Sequence, residues 1–141
     1  MSTPPFVAPF ALVPTRVPPG NIRVPEADFE ELYAELMAWH DDTTLPFDNY
    51  VLGVEQALAW VADRNVVEDG RSIVPNPPLS ESGTAARPET VAYEYLYALE
   101  EARARPTDRH VAGVVAALDW AWNGGPRPLE AGWLAALYGY R

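Results

Sequence analysis

The amino-acid sequence predicts an all-α protein: two tandem αα-hairpins packed as a pseudo-two-fold four-helix bundle, with a Pro-rich extended arm before it and a short helix after it. Three observations lead there. The first is a gapless internal repeat at an offset of 60 residues. Tyr33, Leu36, Ala38, Pro46, Asp48, Val51, Gly53, Val54, Ala57, Leu58 and Trp60 recur as Tyr93, Leu96, Ala98, Pro106, Asp108, Val111, Gly113, Val114, Ala117, Leu118 and Trp120, 11 identities in 28 aligned positions. Average residue usage would give roughly two. The second is helical apolar spacing in each copy, broken at Pro46 or Pro106 and resumed after Asp48 or Asp108. The third is the flanking chemistry, with seven prolines in residues 1–25 and Gly-, Pro- and Ser-rich segments after each copy. A unit of this size cannot bury its apolar face alone, so the copies are expected to pack on one another.

Proline removes amide donors and fixes φ, so residues 1–25 read as an extended arm. Phe6, Val7, Phe10, Leu12, Val13, Ile22 and Val24 punctuate it. Each would return roughly 1.5 to 3 kcal/mol if fully buried, against on the order of 1 to 2 kcal/mol of backbone entropy per ordered residue. Residues 26–141 read as a single helical domain, with repeat 1 at about 26–64, a connecting loop at 65–87, repeat 2 at about 88–123 and a C-terminal helix at about 129–138.

The first helix opens at Pro25, with Glu26, Asp28, Glu30 and Glu31 at the positive end of its dipole and Phe29, Leu32, Tyr33, Leu36 and Trp39 at helical spacing. Asp48 is the expected N-cap of the second helix, residues 49 to about 64. In the second copy Pro88 and Glu89 open a helix whose apolar face is assigned to Val91, Ala92, Tyr95, Leu96 and Leu99, and Asp108 caps another running through Trp122. Gly70, Pro75, Pro77, Pro78, Ser80, Ser82 and Gly83 mark residues 65–87 as a turn-rich connection. After Gly124 and Gly125, the last helix offers Trp133, Leu134, Leu137 and Tyr138 as neighbours one turn apart.

The repeated residues read as core. Gly53 and Gly113 cost about 1 kcal/mol each in a helix interior relative to Ala, which close helix approach explains. Trp60 and Trp120 are the expected main anchors. Tyr93, Tyr95 and Tyr97 cannot all face one way, so at least one is expected at the surface or an interface.

Composition excludes several chemistries. The chain has no cysteine and no lysine, which removes thiolate ligands, cysteine nucleophiles, Schiff-base lysines and P-loop lysines. A formal net charge of −10 argues against direct nucleic-acid binding. The charge is divided unevenly, −9 over residues 1–70 and −1 over residues 71–141. Basic residues are all arginine, and Ala, Pro and Gly are abundant, a bias that points to a high-GC bacterial or phage gene. No basic leader or membrane-length apolar run is present in the sequence, so a cytoplasmic protein is expected, or a virion component if the gene is phage-encoded.

Candidate catalytic groups do not assemble. His40, Asp41 and Asp42 are consecutive and diverge around a helix axis, unlike metal ligands set one turn apart. Neither histidine is repeated, since His40 aligns with Glu100 and His110 with Tyr50. Glu31 and Glu35 could imitate half of a helical Mg-dependent nucleotide pyrophosphohydrolase site, but the facing helix offers only Glu55 and Asp63, eight residues apart. No catalytic residue, cofactor or metal is therefore assigned.

The reading is a non-catalytic interaction or structural protein in a larger assembly, a homo-oligomer or a complex with other proteins. Its candidate interface is Phe6, Phe10, Leu12, Ile22, Glu30, Glu31, Asp41, Asp42, Tyr95, Tyr97, Trp133, Tyr138 and Tyr140; its core anchors are Gly53, Trp60, Gly113 and Trp120. The charge split suggests head-to-tail contact between the acidic repeat of one copy and the arginine-bearing repeat of another. The alternatives are an acidic inhibitor that occupies a basic protein surface by imitating nucleic-acid charge, and a small metal-dependent helical enzyme.

Overall fold

A computed structural model describes residues 16–139 and shows a mostly helical protein. Helix α1 spans Glu26–Asp41, α2 Asn49–Val61, α3 Pro88–Ala104, α4 Arg109–Asn123 and α5 Trp133–Tyr138. Between α2 and α3 lies a hairpin of β1, Val66–Glu68, and β2, Arg71–Ile73.

Helices α2 and α4 form the centre. Asp48 caps α2 by accepting from the Tyr50 amide at 2.8 Å, and Asp108 caps α4 by accepting from the Val111 amide at 3.1 Å. Their backbones meet at the two repeated glycines. A Cβ on Gly53 would stand 2.3 Å from the His110 carbonyl oxygen, and one on Gly113 would stand 2.1 Å from that of Tyr50. His110 is the repeat counterpart of Tyr50, so the contact is reciprocal. Trp60, Leu58, Val54, Leu118 and Val114 fill the surrounding core.

Helices α1 and α3 do not repeat one another in this way. Helix α1 buries Phe29, Leu32, Tyr33, Leu36 and Trp39, whereas α3 buries Val91, Glu94 and Ala98. The counterparts of those α3 residues in α1 are Glu31, Ala34 and Ala38, all exposed. Conversely, Tyr93 and Leu96, counterparts of buried Tyr33 and Leu36, are 60% and 61% exposed. At 100° per residue the two buried faces lie about half a turn apart. Leu96 is thus not on the apolar face assigned to it. The connections differ as well: α1 stops at Asp41, and residues 42–48 lead to α2, while α3 runs to Ala104 and only residues 105–108 intervene before α4. In the longer connection Leu45 is buried and the Trp39 indole donates to the Pro46 carbonyl at 3.2 Å.

Other boundaries also shift. Helix α2 ends at Val61 rather than near 64, because Asp63 takes the left-handed conformation at φ 56° and the Arg64 amide turns back to the Ala59 carbonyl. The last helix starts at Trp133 rather than 129, after a positive-φ Gly132. Residues 65–87 are not wholly irregular: Asp69 and Gly70 take φ 53° and 76°, the double left-handed geometry of a two-residue hairpin turn.

Residues 16–25 of the predicted arm are docked. Val17 is buried, and the fully buried Asn21 donates through Nδ2 to the carbonyls of Val61 at 2.9 Å and Ala86 at 3.0 Å. Arg23 donates its amide to the Ala121 carbonyl and stacks its guanidinium 4.0 Å from the Trp122 ring centre. This segment joins the end of α2, the approach to α3 and the end of α4.

Candidate functional site

Two buried carboxylates stand on apolar stripes, Glu94 beside Val91 and Ala98, and Glu55 beside Val51 and Leu58. Burying such a group unpaired is costly, so each must be satisfied internally. Glu94 Oε2 accepts from the amides of Leu79 at 2.8 Å and Ser80 at 3.0 Å, and its Oε1 from the Ser80 hydroxyl at 2.6 Å. It therefore fixes the connection against α3. Glu55 Oε2 lies 2.8 Å from His40 Nδ1. Burial works against the charged imidazole, but the Glu55 carboxylate, Asp41 and a bond to the Val67 carbonyl together outweigh it, and the His40 pKa is raised. One ring thereby ties α1 to α2 and to the hairpin.

Above Glu55 a cleft of ≈ 230 Å³ separates α2 from the hairpin, walled by Leu52, Ala59, Val66, Ile73 and Pro75. A second, more open groove of ≈ 540 Å³ runs between Phe47, Val51, Pro128, Trp133 and Leu137. The first has a charged floor already matched by His40, and the second is mainly apolar. Among the described residues no group of three or more His, Cys, Asp and Glu side chains could hold a metal ion, and no helix is long and apolar enough to cross a membrane.

The most distinctive surface is the outward stripe of α3. Glu89, Tyr93, Leu96, Glu100 and Arg103 follow one another at four- and three-residue steps and are all exposed. The Tyr93 and Tyr97 rings lie 6.4 Å apart, and Arg103 reaches Glu100 at 2.7 Å. In α1 the same stripe is Phe29, Tyr33, Leu36 and His40, with Phe29 stacked 6.1 Å from Trp120 and Tyr33 under the Arg64 guanidinium. One copy turns the Tyr-Leu pair into the core, and the other presents it to solvent.

The described members of the sequence-assigned interface differ in their settings. Phe6, Phe10, Leu12 and Tyr140 lie outside the described residues. Ile22 packs against the core, Tyr95 donates to Asp119 at 3.2 Å, and Trp133 donates to Glu35 at 3.2 Å. Tyr97 is half-buried, and Tyr138 is 39% exposed. Glu30 gives both oxygens to Arg64, Glu31 lies 3.9 Å from Arg127, Asp42 caps the Thr44 turn, and Asp41 is exposed. Gly53, Trp60, Gly113 and Trp120 are buried. Glu94 and Asn21 are absent from the sequence-based candidates, and Glu55 figures there only as a carboxylate facing Glu31 and Glu35. For the two carboxylates the signal was there: an acidic residue within an apolar helical stripe must find partners. The sequence pattern assigns Leu96 to the apolar face of α3 and leaves Tyr93 among three tyrosines of which at least one is expected outside.

No family model, curated protein or solved structure matches this chain.

Proposed function

We propose that this chain is a non-catalytic interaction protein, a structural component of a larger protein assembly that binds neighbours through exposed apolar surface. The observation that carries this reading is the α3 stripe, where a Tyr-Leu pair kept in the core by one copy is left open by the other. Exposed large apolar side chains grouped on one face mark contact surfaces. The tandem αα-hairpin organisation belongs to the same reading. Its support is the reciprocal glycine contact between α2 and α4, and the inversion of α3 is the departure that frees a binding face.

The acidic-mimic alternative draws less support, because Glu30, Glu31 and Glu35 lie beside Arg64 and Arg127. Arginines assigned to a neighbouring copy are likewise engaged at home: Arg109 binds Asp48 at 2.9 and 3.0 Å, and Arg127 binds Glu35 at 2.8 Å. These pairs join the second copy to the first within one chain.

Chemical crosslinking of the tagged chain in its native host tests the reading. Wild type should appear in crosslinked complexes, with a second copy of itself or with another polypeptide, and Leu96→Glu should lose those made through α3. Identical crosslink patterns for wild type and variant would overturn it.

A further inference from the structure

Turned end for end, the outward stripe of α3 is complementary to itself. Glu89 and Arg103 each stand seven residues from Leu96, close to two helical turns on either side. When two such helices lie antiparallel with their Leu96 residues in register, Glu89 of each falls opposite Arg103 of the other. Tyr93 of each then falls at the level of Leu99 and Glu100 of the other, its ring against the half-buried Leu99 at the margin of the stripe and its hydroxyl placed to donate to the exposed Glu100, and the helix dipoles oppose one another favourably. Arg103 already pairs with Glu100, but both side chains are more than two thirds exposed, at 71% and 73%, and such a pair is weak. A guanidinium has donors enough for both carboxylates.

We propose that α3 of one chain pairs antiparallel with α3 of a second copy about a two-fold axis through Leu96, with Tyr93, Leu96 and Leu99 forming the apolar centre and Glu89–Arg103 ion pairs closing both ends. Such a contact is isologous and closes on itself, giving a discrete dimer in place of a filament. It rests on the interaction-protein reading and names the partner for this face. Helix α3 has 17 residues, about 25 Å of length, which places the interface at the small end of specific contacts. A dissociation constant on the order of micromolar is expected.

Sedimentation velocity of the purified full chain, from about 1 µM to about 1 mM, reads this directly. A monomer–dimer equilibrium is expected. Leu96→Glu sets two carboxylates on the axis and should weaken dimerisation by roughly a hundredfold. Glu89→Arg and Arg103→Glu should each weaken it roughly tenfold. Mixed together, those two variants should form a heterodimer as tight as the wild-type dimer, because both ends again pair opposite charges, one end in the wild-type sense and the other reversed; their far-UV circular dichroism should match wild type. A wild-type chain that stays monomeric, a dimer indifferent to Leu96→Glu, or single variants that do not recover on mixing would overturn the proposal. So would dimerisation that appears only after removal of residues 1–15, since the arm would then be the occupant of the stripe. A monomeric pure chain that still loses host crosslinks on Leu96→Glu would overturn self-pairing and leave the assembly reading intact. A purified wild-type dimer weakened by Leu96→Glu, beside host crosslinks that the substitution leaves unchanged, would do the reverse.

Discussion

Helices α1 and α3 share Tyr, Leu and Ala at matching positions, yet they bury opposite faces. In α1 the shared Tyr33 and Leu36 sit between Phe29 and His40, and that stripe enters the core. In α3 the shared Tyr93 and Leu96 sit between Glu89 and Glu100, and the stripe faces solvent. Two added carboxylates at the flanks, with Val91 replacing Glu31 on the other side, favour rotation by about half a turn once the Glu94 that it buries is satisfied by Leu79 and Ser80, since burying an unpaired charge costs far more than exposing one Leu. The inner helices tolerate no such freedom. Their glycines hold the α2 and α4 backbones in contact at two symmetric points, and a rotated helix there would drive a side chain into a carbonyl. A repeat therefore conserves geometry where packing is closest and releases it where a surface is available.

The largest expected effect concerns that inner contact. Gly113→Ala and Gly53→Ala each place a methyl group inside contact distance of a carbonyl oxygen. Each should cost about 3 kcal/mol or more, or prevent folding. Urea denaturation would show it, and near-wild-type midpoints would mean that the helices can part easily. Next comes the inversion itself. Leu36→Ala, in the core, should cost about 2 to 5 kcal/mol, while Leu96→Ala should stay within about 0.5 kcal/mol for the monomer. Equal losses would contradict opposite faces.

Glu94→Ala probes why α3 can bury a face that carries a carboxylate. It strands the Leu79 and Ser80 amides and should cost about 1 to 3 kcal/mol. Protease susceptibility within residues 74–86 should rise with it; an unchanged digest would indicate that the connection is held elsewhere.

The smallest effects are pH-dependent and of opposite sign in the two copies. Folding raises the His40 pKa, so its contribution is fully present below its unfolded value and disappears as pH rises through the folded one. Burial, opposed by Asp108, lowers that of His110, so its contribution is present above the unfolded value and disappears as pH falls through the folded one. In thermal melts across about pH 5 to 8, His40→Gln should flatten the alkaline decline and His110→Gln the acid one. Matching slopes for the two variants would refute this assignment.

Much of the secondary structure was legible. Asp48 and Asp108 identified two helix starts, and Pro88 another, because capping and proline geometry are local. The hairpin was legible too, in Asp69-Gly70 between Val66-Val67 and Ile73-Val74, although the surrounding prolines and glycines gave that segment the character of a loop. The start of α5 depended on Gly132, whose left-handed conformation ends one turn and begins another, and glycine composition alone does not fix where that occurs. The α3 stripe was partly legible in Glu89 and Glu100. It was obscured by the repeat, which invites equal roles for equal residues.

The sequence by itself determined the helices, their caps, the glycines where α2 and α4 meet and the internal commitment that any buried carboxylate demands. All of these depend on nearest neighbours in the chain or on one close contact. Which face of α3 turns inward was decided only by tertiary structure. Tyr and Leu are stable in a core and tolerable on a surface, so their placement follows from the balance of Glu89, Glu94 and Glu100 against available partners, and those partners come from the connecting segment far along the chain.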